Sequence, residues 1–216
     1  MLARGTGPMK SPKIPYVGDK RIRKQLQAFK CPTPFHAVRT RFLANIATPR
    51  FDVSPIGAIK DLWDGDLPEF ENTEEANDLF QGLMSCWNHL AQHQSRSKPF
   101  RLVRQSSIGS PEDLKALCQM RTEEIEGFVE GLFGTVEELD LPERAVAGMD
   151  CLGEINAMLQ GVIRLAEKPE ETANDADRAS MVQNVKELTR IAEKEMHAVI
   201  LSCVRARREV LKQTVH

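Results

Sequence analysis

The stretch NTEEANDLFQGLMSCWNHLAQHQ, residues 72–94, decides the fold class of this chain. Its apolar side chains recur at positions i, i+3, i+4 and i+7 over four turns, which is the pattern of an amphipathic α-helix with one broad buried face. Asn72 is a favourable N-cap, and Glu75 follows three positions later, where a capping-box partner is expected. The residues predicted to be buried on this central helix are Ala76, Leu79, Phe80, Leu83, Met84, Trp87, Leu90 and Ala91.

The composition outside this stretch also favours helix. The 216 residues are 41% hydrophobic and 28% charged and include a single Tyr, so sheet-forming residues are few. No apolar run approaches the roughly 20 residues that cross a bilayer, and the N-terminal residues lack the apolar core of a secretory signal. Five scattered cysteines without a Cys-x-x-Cys pair indicate reduced thiols. We therefore expect a cytoplasmic protein.

Start and stop residues divide the chain into further helices. Ser54-Pro55 and Ser110-Pro111 are typical helix starts, because a serine cap is followed by proline in the first turn. The prediction is an all-α, multi-helix bundle of about six to seven helices with a long C-terminal helix. The predicted helices span residues 19–29, 35–47, 55–64, 72–94, 110–133, 143–167 and about 178–212.

Two segments depart from the bundle pattern. Residues 1–34 are rich in proline, glycine and basic side chains, which predicts a flexible basic arm with one short helix. Residues 35–216 are then the all-helical domain. The polar, basic segment 95–109 is the best candidate for a hinge between two helical halves of that domain.

The net charge of −2 conceals an uneven distribution. Residues 1–50 contain eleven Lys and Arg and one Asp, whereas residues 51–216 contain eighteen Lys and Arg against thirty Asp and Glu. A basic arm on an acidic body favours an anionic partner, either a nucleic acid or an acidic surface, or contact of the arm with its own body. The anion-binding candidates are Lys20, Arg21, Arg23 and Lys24, preceded by Lys10 and Lys13 and supplemented by the C-terminal arginines Arg205, Arg207 and Arg208.

A metal site is one alternative for the central helix. Cys86, His89 and His93 are spaced three and four residues apart, so they fall within about 60° of one another on the helix. A thiolate and two imidazoles are zinc ligands. However, the sequence specifies no fourth ligand, and the three residues lie at the edge of the apolar face. The favoured interpretation is solvated histidines beside a half-buried thiol.

The sequence contains no recognisable catalytic motif. It lacks a Gly-x-Ser-x-Gly elbow, a phosphate-binding glycine loop and a helix-start cysteine beside a base. The run Glu123, Glu124, Glu126 and Glu130 offers paired carboxylates, although such a run is typical of a solvated helix face. We therefore assign no catalytic residue and no cofactor, and a non-enzymatic role is favoured.

Gly127 and Gly131 lie four residues apart on one predicted helix face, where they would let another helix approach closely. Together with Trp87 they are candidates for helix packing or for an interface. Self-association is expected, through these glycines or through the long last helix.

Several short motifs resemble the YecA/YgfB-like family of bacterial helical proteins. They are FLANIA at 42–47, the run from Ser54-Pro55 to Leu62-Trp63, the pair Trp87-Asn88, and EGFVEG at 126–131, which is similar to a Gly-Phe-x-x-Gly segment of that family. The resemblance covers roughly residues 35–165, and the Cys-rich zinc tail of some members is absent. It implies an all-helical, self-associating protein of largely unassigned function, and it supplies no catalytic residues.

Three functional hypotheses follow. The favoured one is a non-enzymatic helical interaction or regulatory protein. The alternatives are an anion-binding module that uses the basic arm, and a metal-binding protein centred on Cys86, His89 and His93.

Overall fold

A computed structural model describes residues 15–105, 108–166 and 175–214, and all regular structure in this part of the chain is helical. The predicted all-α bundle with a long C-terminal helix is confirmed. Two short 3-10 turns, Asp61–Trp63 and Ala91–Gln94, extend the third and fourth helices. Lys10 and Lys13 lie outside the described residues. The helices are α1 (Asp19–Ala28), α2 (Phe35–Ala47), α3 (Pro55–Lys60), α4 (Thr73–Leu90), α5 (Pro111–Phe133), α6 (Glu143–Ala166) and α7 (Asp175–Thr214).

The helices begin at the predicted caps. The Asn72 side chain accepts a hydrogen bond from the backbone N–H of Glu75 at 2.9 Å. At the start of α5, Ser110 and Asp113 form a complete capping box, with bonds of 3.1 and 3.0 Å. At α4 the box is displaced, because the Glu75 carboxylate accepts from the N–H of Glu71 rather than from Asn72.

The centre of the bundle is the close pair α2 and α5. Residues 42–48 are all buried. A Cβ on Gly127 would lie 2.8 Å from the carbonyl oxygen of Ala37, and one on Gly131 would overlap the carbonyl of Arg41. The close approach predicted at these two glycines is therefore to α2 of the same chain, which fills the groove proposed for self-association.

The buried face of α4 is rotated from the predicted one. Phe80, Met84 and Trp87 are half-buried, whereas Ser85 and Cys86 are buried. The rotation arises because α1 and the residues before it cover that side of α4. Trp87 still contacts the core, and its ring lies edge-on to Phe42 with centroids 5.4 Å apart.

The predicted flexible arm is part of the packed body from α1 onward. Ile22 and Leu26 are buried in the same core as α2 and α4. Gln25 donates to both the backbone carbonyl and the carboxylate of Asp78 on α4, each at 2.8 Å. The short helix expected in this region is present. Its two buried apolar side chains lie one turn apart and attach the helix to the body.

The segment predicted as a hinge is held at its centre. Phe100 and Leu102 are buried. The backbone N–H of Leu102 donates to Glu193 on α7, and that of Val103 donates to Glu124 on α5, both at 3.0 Å. The buried apolar residues before and after the segment form one continuous core. This segment therefore joins the two halves instead of separating them.

α7 is one continuous helix of 40 residues that packs lengthwise against α6. Its buried side chains end at Val204, and Val210 and Leu211 are about half exposed, so its last turns extend past the core. On α6 the buried side chains include Ala145, Leu152 and Leu159, whereas Val146 is exposed. Within the described ranges, no helix has both the length and the apolar character that membrane crossing requires.

Candidate anion-binding groove

Two clefts lie along the same broad side of α7, and the segment 91–105 contributes residues to both. The cleft beside the N-terminal half of α7, here called the Arg121 cleft, has a volume of about 450 Å³. The cleft near the C-terminal end, here called the terminal cleft, has a volume of about 760 Å³. The basic residues of the Arg121 cleft are Arg101, Arg104, Arg121, Lys186 and Arg190, and those of the terminal cleft are Arg96, Arg205, Arg208 and Lys212.

A buried ion pair on α5 forms the floor of the Arg121 cleft. Arg121 is 3% exposed and Glu124 is fully buried. One terminal nitrogen of Arg121 donates to Glu124, and the other donates to the carbonyl oxygen of Val103. Glu124 also accepts from the N–H of Val103, so the pair ties α5 to the neighbouring segment. Burial lowers the pKa of Arg121 to about 10, which leaves it protonated at neutral pH.

A second buried carboxylate, Glu193 of α7, forms the wall. It is 2% exposed and accepts from Arg101 at 2.6 Å and from the N–H of Leu102 at 3.0 Å. Arg104 lies 3.5 Å from the same carboxylate. These donors offset the cost of removing the charge from water. Arg101 and Arg104 themselves remain exposed, so both guanidinium groups are anchored by Glu193 and accessible to solvent.

Two further cations stand at the rim, one turn apart on α7. Arg190 pairs with Glu187 at 2.5 Å. Lys186 forms no ion pair with any residue of the described ranges. Both side chains are exposed.

The terminal cleft holds its charges differently. Arg205, Arg208 and Lys212 follow one another at helical spacing on α7, and Arg96 reaches them from the loop. All four are exposed, and within the described part of the chain none of them forms an ion pair. Glu209 is the one acidic residue among the described lining residues.

Arg207, which the sequence grouped with these C-terminal cations, has a different role. It donates to the carbonyl oxygen of Thr48 at the end of α2, at 3.1 Å. Burial lowers its pKa. Arg207 therefore attaches the end of α7 to the body, and Arg205 and Arg208 on either side of it face the cleft.

The cations predicted on α1 do not converge on a site. Lys20, Arg21, Arg23 and Lys24 are all exposed on the outside of this helix. Arg21 pairs with Asp78 on α4. The guanidinium of Arg23 lies over the ring of Phe35, 4.5 Å from its centroid. Two of the four candidates are therefore already engaged within the chain.

The candidate metal ligands are separated by burial and by their neighbours. Cys86 is buried in the core, which raises the pKa of its thiol to about 12. The His89 ring stacks on Tyr16 with centroids 4.1 Å apart, and Nδ1 of His93 lies 2.8 Å from the carbonyl oxygen of Lys98. Across the described residues, no group of three or more His, Cys, Asp or Glu side chains is placed to hold a metal ion.

The glutamate run on α5 is likewise dispersed. Glu124 is buried with Arg121, which contradicts the expectation of a solvated face at that position. Glu123 lies 2.5 Å from Nε2 of His36, and Glu130 lies 3.3 Å from Arg41. Because the carboxylates point to different partners, they form no acid–base pair.

The residues of the Arg121 cleft belong to none of the candidate sites predicted from the sequence. The available signal was the run of basic and apolar residues Arg-Leu-Val-Arg at 101–104, within the polar, basic segment 95–109. That signal does not reveal that Arg121, Lys186 and Arg190 meet the same segment, because tertiary packing alone brings them there.

A scan against protein-family models found no match, and no curated protein or solved structure matches this chain significantly.

Proposed function

We propose that the protein is a non-enzymatic interaction protein that binds an acidic partner along α7. The observation that carries this proposal is the concentration of cations in two concave regions of an otherwise acidic body. The two clefts hold nine Lys and Arg, with Glu193 and Glu209 as the acidic residues among their described lining. Cations gathered in clefts strengthen the local potential and raise the association rate of anions.

The chemistry of the clefts supports binding over catalysis. Glu124 and Glu193 are occupied by backbone N–H groups and arginines, so neither is free to transfer a proton to a ligand. Among the described lining residues of the Arg121 cleft there is no Ser, Cys or His beside a base. The arrangement therefore offers fixed positive charge rather than a nucleophile.

An acidic protein segment is the proposed partner, with nucleic acid as the alternative. Both clefts are lined by charged, polar and aliphatic residues, and their described lining includes no aromatic side chain. Stacking on aromatic rings is a main source of affinity for single-stranded nucleic acids. Its absence here favours an acidic protein segment over a single-stranded nucleic acid.

The test is binding of the full chain to a labelled poly-glutamate peptide, with single-stranded RNA and duplex DNA as parallel probes. We expect fluorescence anisotropy to show peptide binding that weakens as salt increases. The double variant Arg205→Glu/Arg208→Glu should lose this salt-dependent peptide binding. The matched control is Lys20→Glu/Lys24→Glu on α1, which should retain it.

Two results would contradict the proposal. The first is no salt-dependent binding to any of the three probes. The second is an equal loss of binding in the α1 control, since net charge rather than the groove would then be responsible. Tighter binding of either nucleic acid than of the peptide would replace the protein partner by a nucleic acid.

Self-association is a separate proposal, and the outer face of α6 is its candidate surface. Met158 and Leu165 lie two turns apart on one face of this helix and are 53% and 40% exposed. Exposed apolar side chains grouped on one face are typical of contact surfaces. Sedimentation velocity should show a dimer that Met158→Glu converts to a monomer, and a monomeric parent protein would end the proposal.

A further inference from the structure

We infer that the Arg121 cleft is a subsite for a phosphomonoester group. The inference rests on the proposed function, because it names the chemical group that the N-terminal half of the groove takes. It is drawn from three properties of this cleft: an unpartnered buried guanidinium nitrogen, an unbalanced charge, and a space beside two apolar side chains.

The first property is the hydrogen-bonding state of Arg121. Its two terminal nitrogens are used by Glu124 and Val103, but its Nε is buried and has no partner in the described residues. The side-chain amide oxygen of Gln105, which lines the same cleft, is also buried and without a partner. Buried polar atoms nearly always have partners, so these two indicate a missing group. A phosphate oxygen fits the Nε–H donor, and a hydroxyl group fits the amide oxygen.

The second property is charge. Five cations line the cleft, and three carboxylates pair with them: Glu124 with Arg121, Glu193 with Arg101 and Arg104, and Glu187 with Arg190. Among the described residues, this pairing leaves two positive charges over. A phosphomonoester carries about two negative charges at neutral pH, whereas a carboxylate or a sulfate ester carries one. The dianion is therefore the better electrostatic match.

The geometry of the cations also favours phosphate. Arginine presents planar pairs of donors that match phosphate oxygens, and Arg101 and Arg104 are both anchored through Glu193 before any ligand arrives. Lys186 supplies an additional charge without an ion pair of its own in the described ranges.

The third property is room for the rest of the ligand. A volume of about 450 Å³ is within the range of small-molecule sites. Ile108 and Leu117 line the cleft beside the cations. An apolar or aromatic group attached to the phosphate would pack against these two side chains. The same chemistry is carried by a phosphorylated small molecule and by a phosphorylated side chain of a protein partner.

The experiment is isothermal titration calorimetry of the full chain with phenyl phosphate, with phenyl sulfate as the matched monoanion. We expect phenyl phosphate to bind roughly tenfold more tightly or better. Lys186→Ala should weaken phenyl phosphate at least about tenfold, since it removes a charge from the exposed rim. Arg121→Lys keeps the charge but removes the Nε–H, so it should also weaken phenyl phosphate binding at least about tenfold. Circular dichroism checks that this variant retains its native helix content. Lys20→Ala on α1, which lines neither cleft, is the control and should leave the affinity unchanged.

Two further ligands distinguish a phosphorylated small molecule from a phosphorylated side chain. A phosphoserine peptide and its unphosphorylated serine counterpart are each tested for binding in competition with phenyl phosphate. Tighter binding of the phosphopeptide identifies a protein side chain, and tighter binding of phenyl phosphate identifies a small molecule. The inference is overturned by no binding of phenyl phosphate, by equal binding of phenyl sulfate, or by an equal loss in Lys20→Ala. If those results occur while poly-glutamate binding is retained, the subsite fails and the proposed function stands. If poly-glutamate binding is also absent, both fail.

Discussion

The Arg121 cleft and the terminal cleft carry the same sign of charge but hold it in different ways. In the first, buried Glu124 and Glu193 anchor three of the arginines before a ligand arrives. In the second, the cations are exposed side chains, most of them on the end of α7, without ion pairs in the described ranges. Anchored side chains lose little freedom on binding, whereas free ones lose more. The first cleft is therefore suited to selecting a ligand, and the second to attracting one.

The largest expected difference between the clefts is in stability. Glu124→Ala leaves Arg121 buried and unpaired, so we expect a loss of about 3–5 kcal/mol in the free energy of unfolding. The matched change in the terminal cleft, Glu209→Ala, removes an exposed carboxylate and should stay within about 0.5 kcal/mol of the parent. Urea unfolding followed by circular dichroism measures both. Similar values for the two variants would mean that the clefts do not differ in this way.

A smaller effect is expected for the arginines themselves. Arg101→Ala removes a charged donor from buried Glu193, but Arg101 is exposed and Leu102 still donates, so the expected loss is about 1 kcal/mol. Arg205→Ala should change stability by less than about 0.5 kcal/mol. Both are measured by the same urea titration. A loss in Arg205→Ala equal to that in Arg101→Ala would show that the end of α7 is anchored in solution.

Variants in the two clefts should also change the kinetics of peptide binding differently. Arg208→Glu is expected to lower the association rate several-fold at low salt, because charges that steer an approaching anion act before contact. Arg104→Glu is expected to raise the dissociation rate more than it lowers the association rate. Stopped-flow fluorescence with labelled poly-glutamate gives both constants. If Arg208→Glu and Arg104→Glu change the association and dissociation rates in the same way, the two clefts do not have the separate roles proposed here.

The smallest expected effect is the dependence of the stability of the helical bundle on pH. Burial lowers the pKa of His36, His89, His93 and His197. Below about pH 6.5 the unfolded chain therefore binds more protons than the folded chain, and stability falls as pH decreases. Urea midpoints should be lower at pH 5.5 than at pH 7.5. Histidine is neutral in both states above pH 7.5, so these residues should cause no further change up to pH 8.5. A midpoint that rises on acidification would contradict this sign.

Helix boundaries were predictable because their causes are local. The caps at Asn72 and Ser110 depend on side chains within three residues, and both form as expected. The degree of burial was less predictable. Phe80 and Met84 are half-buried, while Cys86 is buried, because α1 covers a side of α4 that the sequence pattern had left open.

The candidate site was not predictable, for a related reason. Lys20 to Lys24 form the densest basic cluster of the described residues, but successive residues on a helix point in different directions, so a dense run spreads over its outer surface. Arg121 lies in a stretch that resembles an ordinary solvated helix face. Its burial depends on Val103 and on α7, which the sequence does not place beside it.

α7 sets a fixed distance between two chemically different contacts. Arg190 in one cleft and Arg208 in the other are eighteen residues apart on one continuous helix, which corresponds to five full turns and about 27 Å. A partner whose acidic groups match that separation can engage both clefts, and its second contact benefits from a high effective concentration. A shorter partner engages one cleft only. The unbroken helix therefore selects partners by length as well as by charge.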